Sequence, residues 1–113
     1  MTETVSIGYT LTVAAGGEGT VDIYEVPAAA VLTINHVRIH FPSGNEGNLQ
    51  VNLRVGIVNI YPTEGSAAGD NTTWEFRTEK IVRSGSKISV YYKNNDSTNP
   101  HTCFILIEGI LER

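Results

Sequence analysis

The chain is short of cysteine, lysine and long apolar runs, and each shortage excludes something. One cysteine, Cys103, stands alone in 113 residues, so no intrachain disulfide can form. Small secreted domains commonly depend on such cross-links, and this one must hold together without them. A lone thiol in an alternating strand is read as core packing ahead of a reactive nucleophile. The only lysines are Lys80, Lys87 and Lys93. Eight basic residues scattered along a chain of net charge -4 and pI near 5.2 give no cationic patch to displace counterions, so nucleic acid is not an expected partner. No apolar stretch has the length of a membrane-spanning helix, and no membrane association is expected. The start, Met1-Thr2-Glu3-Thr4, lacks a basic segment followed by an apolar one, so no secretory signal is expected.

What the chain does have is period-two alternation. Val5, Ile7, Tyr9, Leu11 and Val13 are apolar at every second position, as are Val37, Ile39 and Phe41. The pattern returns in Leu49, Val51, Leu53 and Val55, in Ile88, Val90 and Tyr92, and in Cys103, Ile105 and Ile107. Such alternation describes strands with one buried and one wet face. The stretch from Val31 to Phe41 changes phase: Leu32 and Ile34 are even, whereas Val37, Ile39 and Phe41 are odd. One extra residue near Asn35-His36, a β-bulge, is the simplest cause. Turn-rich segments separate the runs: Ala14 to Gly19, Pro42 to Gly47, Thr63 to Thr72, Arg83 to Ser86 and Asn94 to Pro100. A tight turn or bulge is expected at Gly56-Ile57, and a kink at Gly109. The count is about eight strands. The expected architecture is all-β: a single antiparallel β-sandwich domain over residues 1–113, a jelly roll or a related Greek key.

Enzyme chemistry finds few residues to work with. No G-x-S-x-G elbow occurs, and Ser84-Gly85-Ser86 reads as a turn. His101 lies two residues before Cys103, about 6–7 Å along a strand and too far for a direct hydrogen bond. His36 and His40 would sit about 13 Å apart on a regular strand, too wide for one ion, and His36-Val37-Arg38-Ile39-His40 lacks a cupin-type spacing. The plainer reading is an outward row of His36, Arg38 and His40 that can meet acidic groups across a contact. Gly16-Gly17-Glu18-Gly19 lacks the Lys-Ser/Thr step of a phosphate loop. No catalytic residue, metal site or cofactor is expected.

Aromatic residues make the case for binding. Tyr91 and Tyr92 are neighbours on a strand, so one must face outward, and Trp74 shares a face with Phe76. An exposed Trp74 or Tyr91 could stack on a sugar ring or anchor a protein contact, whereas the plainer alternative puts Trp74 and Tyr92 in the core. Trp74, Tyr91, His36, Arg38 and His40 together form the candidate binding surface.

Three classes remain open: a structural assembly protein, a carbohydrate-binding module, and a small cupin-like enzyme. The stretch His36 to Pro42, with Asn48 to Val55 and Ile60-Tyr61-Pro62, resembles small β-sandwich structural proteins of phages and other viruses. The resemblance covers about half the chain and lies in strand pattern, so no site residue is carried over with it. It implies a non-enzymatic virion protein, such as a capsid-decoration or tail-associated protein, made in the host cytoplasm. Such a protein would associate with itself, for instance as a trimer, and with a larger lattice such as a capsid; glycans are the alternative partner. Symmetric assembly would cover the strand edges that a lone sandwich leaves open.

Overall fold

The computed structural model describes residues 2–55, 58–62 and 65–113. They form eight strands: β1 (Thr2–Val13), β2 (Glu18–Glu25), β3 (Val31–Phe41), β4 (Leu49–Val55), β5 (Val58–Tyr61), β6 (Thr72–Val82), β7 (Lys87–Asn94) and β8 (His101–Glu112). The expected turn at Gly56-Ile57 and the Thr63-Glu64 start of the long polar loop lie outside the described residues.

Two four-stranded antiparallel sheets face each other, in the orders β1-β8-β3-β6 and β2-β7-β4-β5. The pairs β1–β8, β2–β7, β3–β6 and β4–β5 are those of a long hairpin folded back on itself. Wrapping that ribbon around a core adds the β8–β3 and β7–β4 ladders and yields a jelly roll. Alternation along the strands decides what fills the middle. Leu32, Ile34, Val37, Ile39 and Phe41 of β3 are fully buried, and meet Leu49, Val51 and Leu53 of β4, Ile88 and Val90 of β7, and Ile105 and Ile107 of β8. Each such side chain contributes roughly 1.5–3 kcal/mol by leaving water.

The phase change in β3 is a bulge at Asn35. From Ile34 to His36, the partner on β8 advances by one residue, Gly109 to Glu108, while the partner on β6 advances by three, Lys80 to Arg77. β3 therefore turns His36, Arg38 and His40 outward without moving Val37, Ile39 or Phe41 from the core. Gly109 does not kink β8, which runs unbroken to Glu112. It is where the bulge presses closest: a Cβ there would lie 2.4 Å from the Thr33 carbonyl oxygen and 3.2 Å from the Ile34 Cα. β6 is longer than its interrupted alternation implies, because Thr78, Glu79 and Lys80 lie on an exposed edge strand and bury nothing.

Four connecting segments gather at one end: 14–17, 42–48, 65–71 with Pro62, and 95–100. Buried asparagines tie them together. Asn94 is 2% exposed, and its Nδ2 donates towards the carbonyls of Val13, Ala14 and Asn99 while its Oδ1 accepts the Asp96 N–H. Asn45 donates to the Thr102 carbonyl, and Asn52 to those of Pro62 and Gly65. Buried amides that satisfy loop backbone in this way fix loop paths that apolar packing cannot.

Candidate interaction surface

Register arranges the outer face of the β1-β8-β3-β6 sheet in rows. Thr10, Phe104, His40 and Thr73 form one; Gly8, Leu106, Arg38 and Glu75 the next; then Ser6, Glu108, His36 and Arg77; then Thr4, Ile110, Thr33 and Ile81. The two middle rows carry charge. His36 sits between two carboxylates, with Nδ1 2.9 Å from Glu108 Oε1 and Nε2 2.8 Å from Glu75 Oε1. A neutral imidazole can donate to only one of them. Arg77 donates to the same Glu75 oxygen at 2.9 Å, and the Arg38 guanidinium lies 3.9 Å from it. The His36 hydrogen bond, helped by these cations, holds the Glu75 carboxyl below its usual range. The expected outward His/Arg/His row is present, and its acidic partners come from this chain's own β6 and β8.

The flanking rows carry exposed apolar side chains among threonines. Phe104 is 46% exposed, Ile110 43% and Ile81 56%. β8 is thus apolar in both phases: Cys103, Ile105 and Ile107 point inward, while Phe104, Leu106 and Ile110 point outward. A shallow depression of about 250 Å³ lies among Gly8, Thr10, Arg38, His40, Phe104 and Leu106, with nothing above Gly8. His40 stacks near the Phe104 ring at 6.3 Å, and its Nδ1 meets Thr73 Oγ1 at 2.8 Å. Large apolar side chains in a polar setting mark contact surfaces.

The other sheet presents a different skin. There the Tyr91 hydroxyl donates to Glu18, and the Arg54 guanidinium covers the Tyr91 ring at 4.5 Å. Arg54 Nε also approaches Asn52 Oδ1 at 3.4 Å, and Ser89 donates to Asp22 at 2.6 Å. The hydrogen bond to Glu18 raises the Tyr91 pKa, because the carboxylate favours the protonated phenol. The outer groups of this sheet largely satisfy one another.

The five sequence candidates therefore divide among three places. His36, Arg38 and His40 share one face. Trp74 lies on the opposite, core-facing side of the same sheet, half-buried, 6.2 Å from the Phe76 ring, with its indole N–H donating to the Ala68 carbonyl at 2.9 Å. Tyr91 is on the outer face of the second sheet. Neither ring is a bare platform. The apolar outer residues Phe104, Leu106 and Ile110 escaped the sequence reading, although a strand greasy in both phases was the signal for them.

The loop end holds one more cluster. His101 Nε2 meets Asp96 Oδ2 at 2.8 Å beside a polar cleft of about 430 Å³ lined by residues of the 42–46 and 96–102 segments. Asp96 Oδ1 also accepts from the Thr98 and Asn99 N–H groups and the Thr98 hydroxyl. Led by the Thr98 N–H, these bonds push the Asp96 pKa far down. An acid so heavily engaged is a loop staple rather than a proton donor. Cys103 points inward, and burial raises its thiol pKa to about 12. Among the described residues no group of three or more His, Cys, Asp or Glu is placed to hold a metal ion.

No family model matches the chain, and no curated protein matches it in sequence. Solved structures do match. A chain in the atomic structure of Sulfolobus Turreted Icosahedral Virus is similar at a TM-score of 0.62 and 14% identity, over 96% of this chain and 29% of that one. An archaeal virus chain described by its triple jelly roll fold and turret assembly gives 0.63 and 14% over the same shares. This chain thus spans about 29% of the length of those two. A chain in the capsid of Helicobacter pylori bacteriophage KHP30 gives 0.51 and 12%, over 96% of this chain and 93% of that one. PirA shares the architecture at 0.51 and 17%, over 89% and 93%. What these likenesses establish is the class of fold: a single jelly roll of the kind found in viral capsids, and not confined to them.

Proposed function

We propose that this protein is a structural component of a virus particle, acting through protein–protein contacts as a homo-oligomer on a larger protein lattice. The observation that carries the reading is the outer face of the β1-β8-β3-β6 sheet, where Phe104, Ile110 and Ile81 stand in water on either side of a centre charged in both signs, in which Leu106 is half-buried. Such a face suits a protein partner, because apolar anchors supply affinity and the mixed charges supply register. The jelly roll shared with viral capsid chains supports the setting. A glycan-binding role draws less support, since the Trp74 indole N–H and the Tyr91 hydroxyl and ring are already engaged within the chain.

Negative-stain electron microscopy of the pure protein at rising concentration tests the reading. Ordered rings, sheets or shells are expected, and substitution of Phe104 by Asp should abolish them. Uniform single particles of monomer size under every condition would refute it.

A further inference from the structure

A two-sheet sandwich has four edge strands, and each exposes a line of backbone N–H and C=O groups that another strand can pair with. Here the four edges are β1 and β6 in one sheet and β2 and β5 in the other. Three carry recognisable guards. β5 is four residues long and is followed by Pro62. β2 has a register break between Asp22 and Tyr24 and three acidic residues, Glu18, Asp22 and Glu25. β6 carries Glu75, Arg77, Glu79 and Lys80. β1 has none of these. It pairs with β8 over twelve consecutive residues without a shift, contains no proline or lysine, and bears one charge, Glu3.

We infer that β1 is an assembly edge, and that its occupant is the β1 strand of a second copy of this chain, antiparallel across a two-fold axis. The inference deepens the homo-oligomer in the proposed function and rests on that reading. Self-pairing is favoured by the sequence of the strand itself. Across a two-fold perpendicular to the sheet, facing residues must lie on the same side, so odd residues meet odd and even meet even. With the axis at Gly8, Ile7 faces Tyr9 and Val5 faces Leu11 on the inner side, while Ser6 faces Thr10 and Thr4 faces Thr12 on the outer side. Moving the axis to Ile7 sets Val5 against Tyr9 and Thr4 against Thr10, and still matches inner side with inner and outer with outer. Neither register sets charge against charge. Val5, Ile7 and Tyr9 are only half-buried in the single chain, which is what an unfinished sandwich wall would show.

The dimensions also fit. Twelve residues span roughly 40 Å, most of the molecule's 47 Å long axis. A wall of that roughly 40 Å length and the 22 Å thickness offers at most about 900 Å² per copy, against the roughly 800 Å² per partner of a standard stable interface. Pairing would join two four-stranded sheets into one of eight strands, with both Phe104–Leu106 patches on the same outer face. That dimer would present a doubled surface to the lattice.

A cysteine scan tests the inference: Ser6→Cys, Ile7→Cys, Gly8→Cys, Tyr9→Cys and Thr10→Cys, with Glu79→Cys on β6 as a control, under mild oxidation of the otherwise unmodified chain. Cys103 is buried and does not compete. A disulfide requires Cβ atoms about 3.5–4.5 Å apart, and residues two positions from the axis face partners about 13 Å from their own copies. One sharp maximum of cross-linked dimer at position 7 or 8, at least tenfold above Glu79→Cys, is expected. A flat profile, no dimer, or equal cross-linking at Glu79→Cys overturns it. The two readings fail separately. Large assemblies without a β1 maximum would refute the edge and leave the virion role, whereas a sharp β1 maximum in a protein that builds nothing beyond a dimer would refute the virion role alone.

Discussion

Replacing Gly109 with alanine should destabilise the protein, whereas the same change at Gly8 should not. Both glycines lie within paired strands of one sheet, and both changes relieve the unfolded chain of the same excess freedom, which by itself would stabilise by about 0.4–1 kcal/mol. Their surroundings differ. Nothing lies within 4 Å of a Cβ at Gly8, but at Gly109 that atom would meet the Thr33 carbonyl oxygen at 2.4 Å. The obstacle is backbone, at the bulge that reverses the phase of β3, so relief requires the β3–β8 ladder to move. Overpacking of this kind costs about 1–3 kcal/mol and sometimes more. Unfolding a 113-residue domain carries an entropy of roughly 240 cal/mol/K, so after the unfolded-state gain is deducted the net loss of up to about 2.6 kcal/mol should lower Tm by as much as about 11 °C. Gly8→Ala should leave Tm unchanged or slightly raised. Thermal melts followed by far-ultraviolet circular dichroism measure both. If Gly109→Ala melts with or above the parent, the close approach of the Thr33-Ile34 backbone to Gly109 is wrong, and with it the explanation of the outward His36, Arg38 and His40 row.

Three further outcomes follow from the loop end and the core. Asn94→Ala should cost about 1–3 kcal/mol, because the buried carbonyl of Val13 and the part-buried ones of Ala14 and Asn99 lose a donor; protease nicking in the 95–100 loop should rise with it. Stability should fall in acid. The folded-state pKa values of Asp96 and Glu75 both lie below their unfolded values, so their contribution is whole above about pH 4–5 and is lost as the pH drops through the folded values. Melts from neutral to strongly acidic pH should show this, and Asp96→Asn should flatten the curve; a Tm independent of pH would contradict the assigned bonds. Cys103, buried with its pKa pushed up to about 12, should ignore a thiol reagent in the folded protein and react fully in denaturant.

The strands and their inward faces could be read from alternation because burial on one side leaves a period of two. The bulge in β3 was legible for the same reason: Ile34 and Val37 cannot both face inward on a regular strand. The pairing of strands was not, since β1 meets β8 across almost the whole chain and nothing local encodes such a contact. Asn45, Asn52 and Asn94 looked like loop or surface residues, because a short amide shows its burial only when the carbonyls it serves arrive from distant segments. Gly109 looked like a kink because its crowding comes from Thr33 and Ile34 on another strand. The candidate surface was half legible. His36, Arg38 and His40 faced out as expected, but Trp74 was drawn inward by Phe76 and the Ala68 carbonyl, and Tyr91 was claimed by Glu18 and Arg54.

Sedimentation velocity across a wide range of concentration puts the central claim to its most direct test. A jelly roll built to assemble through an unguarded β1 edge and a greasy β8 face should shift from monomer to larger species as concentration rises, and Phe104→Asp should weaken the larger species while leaving the melting temperature of the monomer intact. A single monomeric boundary at every concentration, unchanged by the substitution, would contradict it.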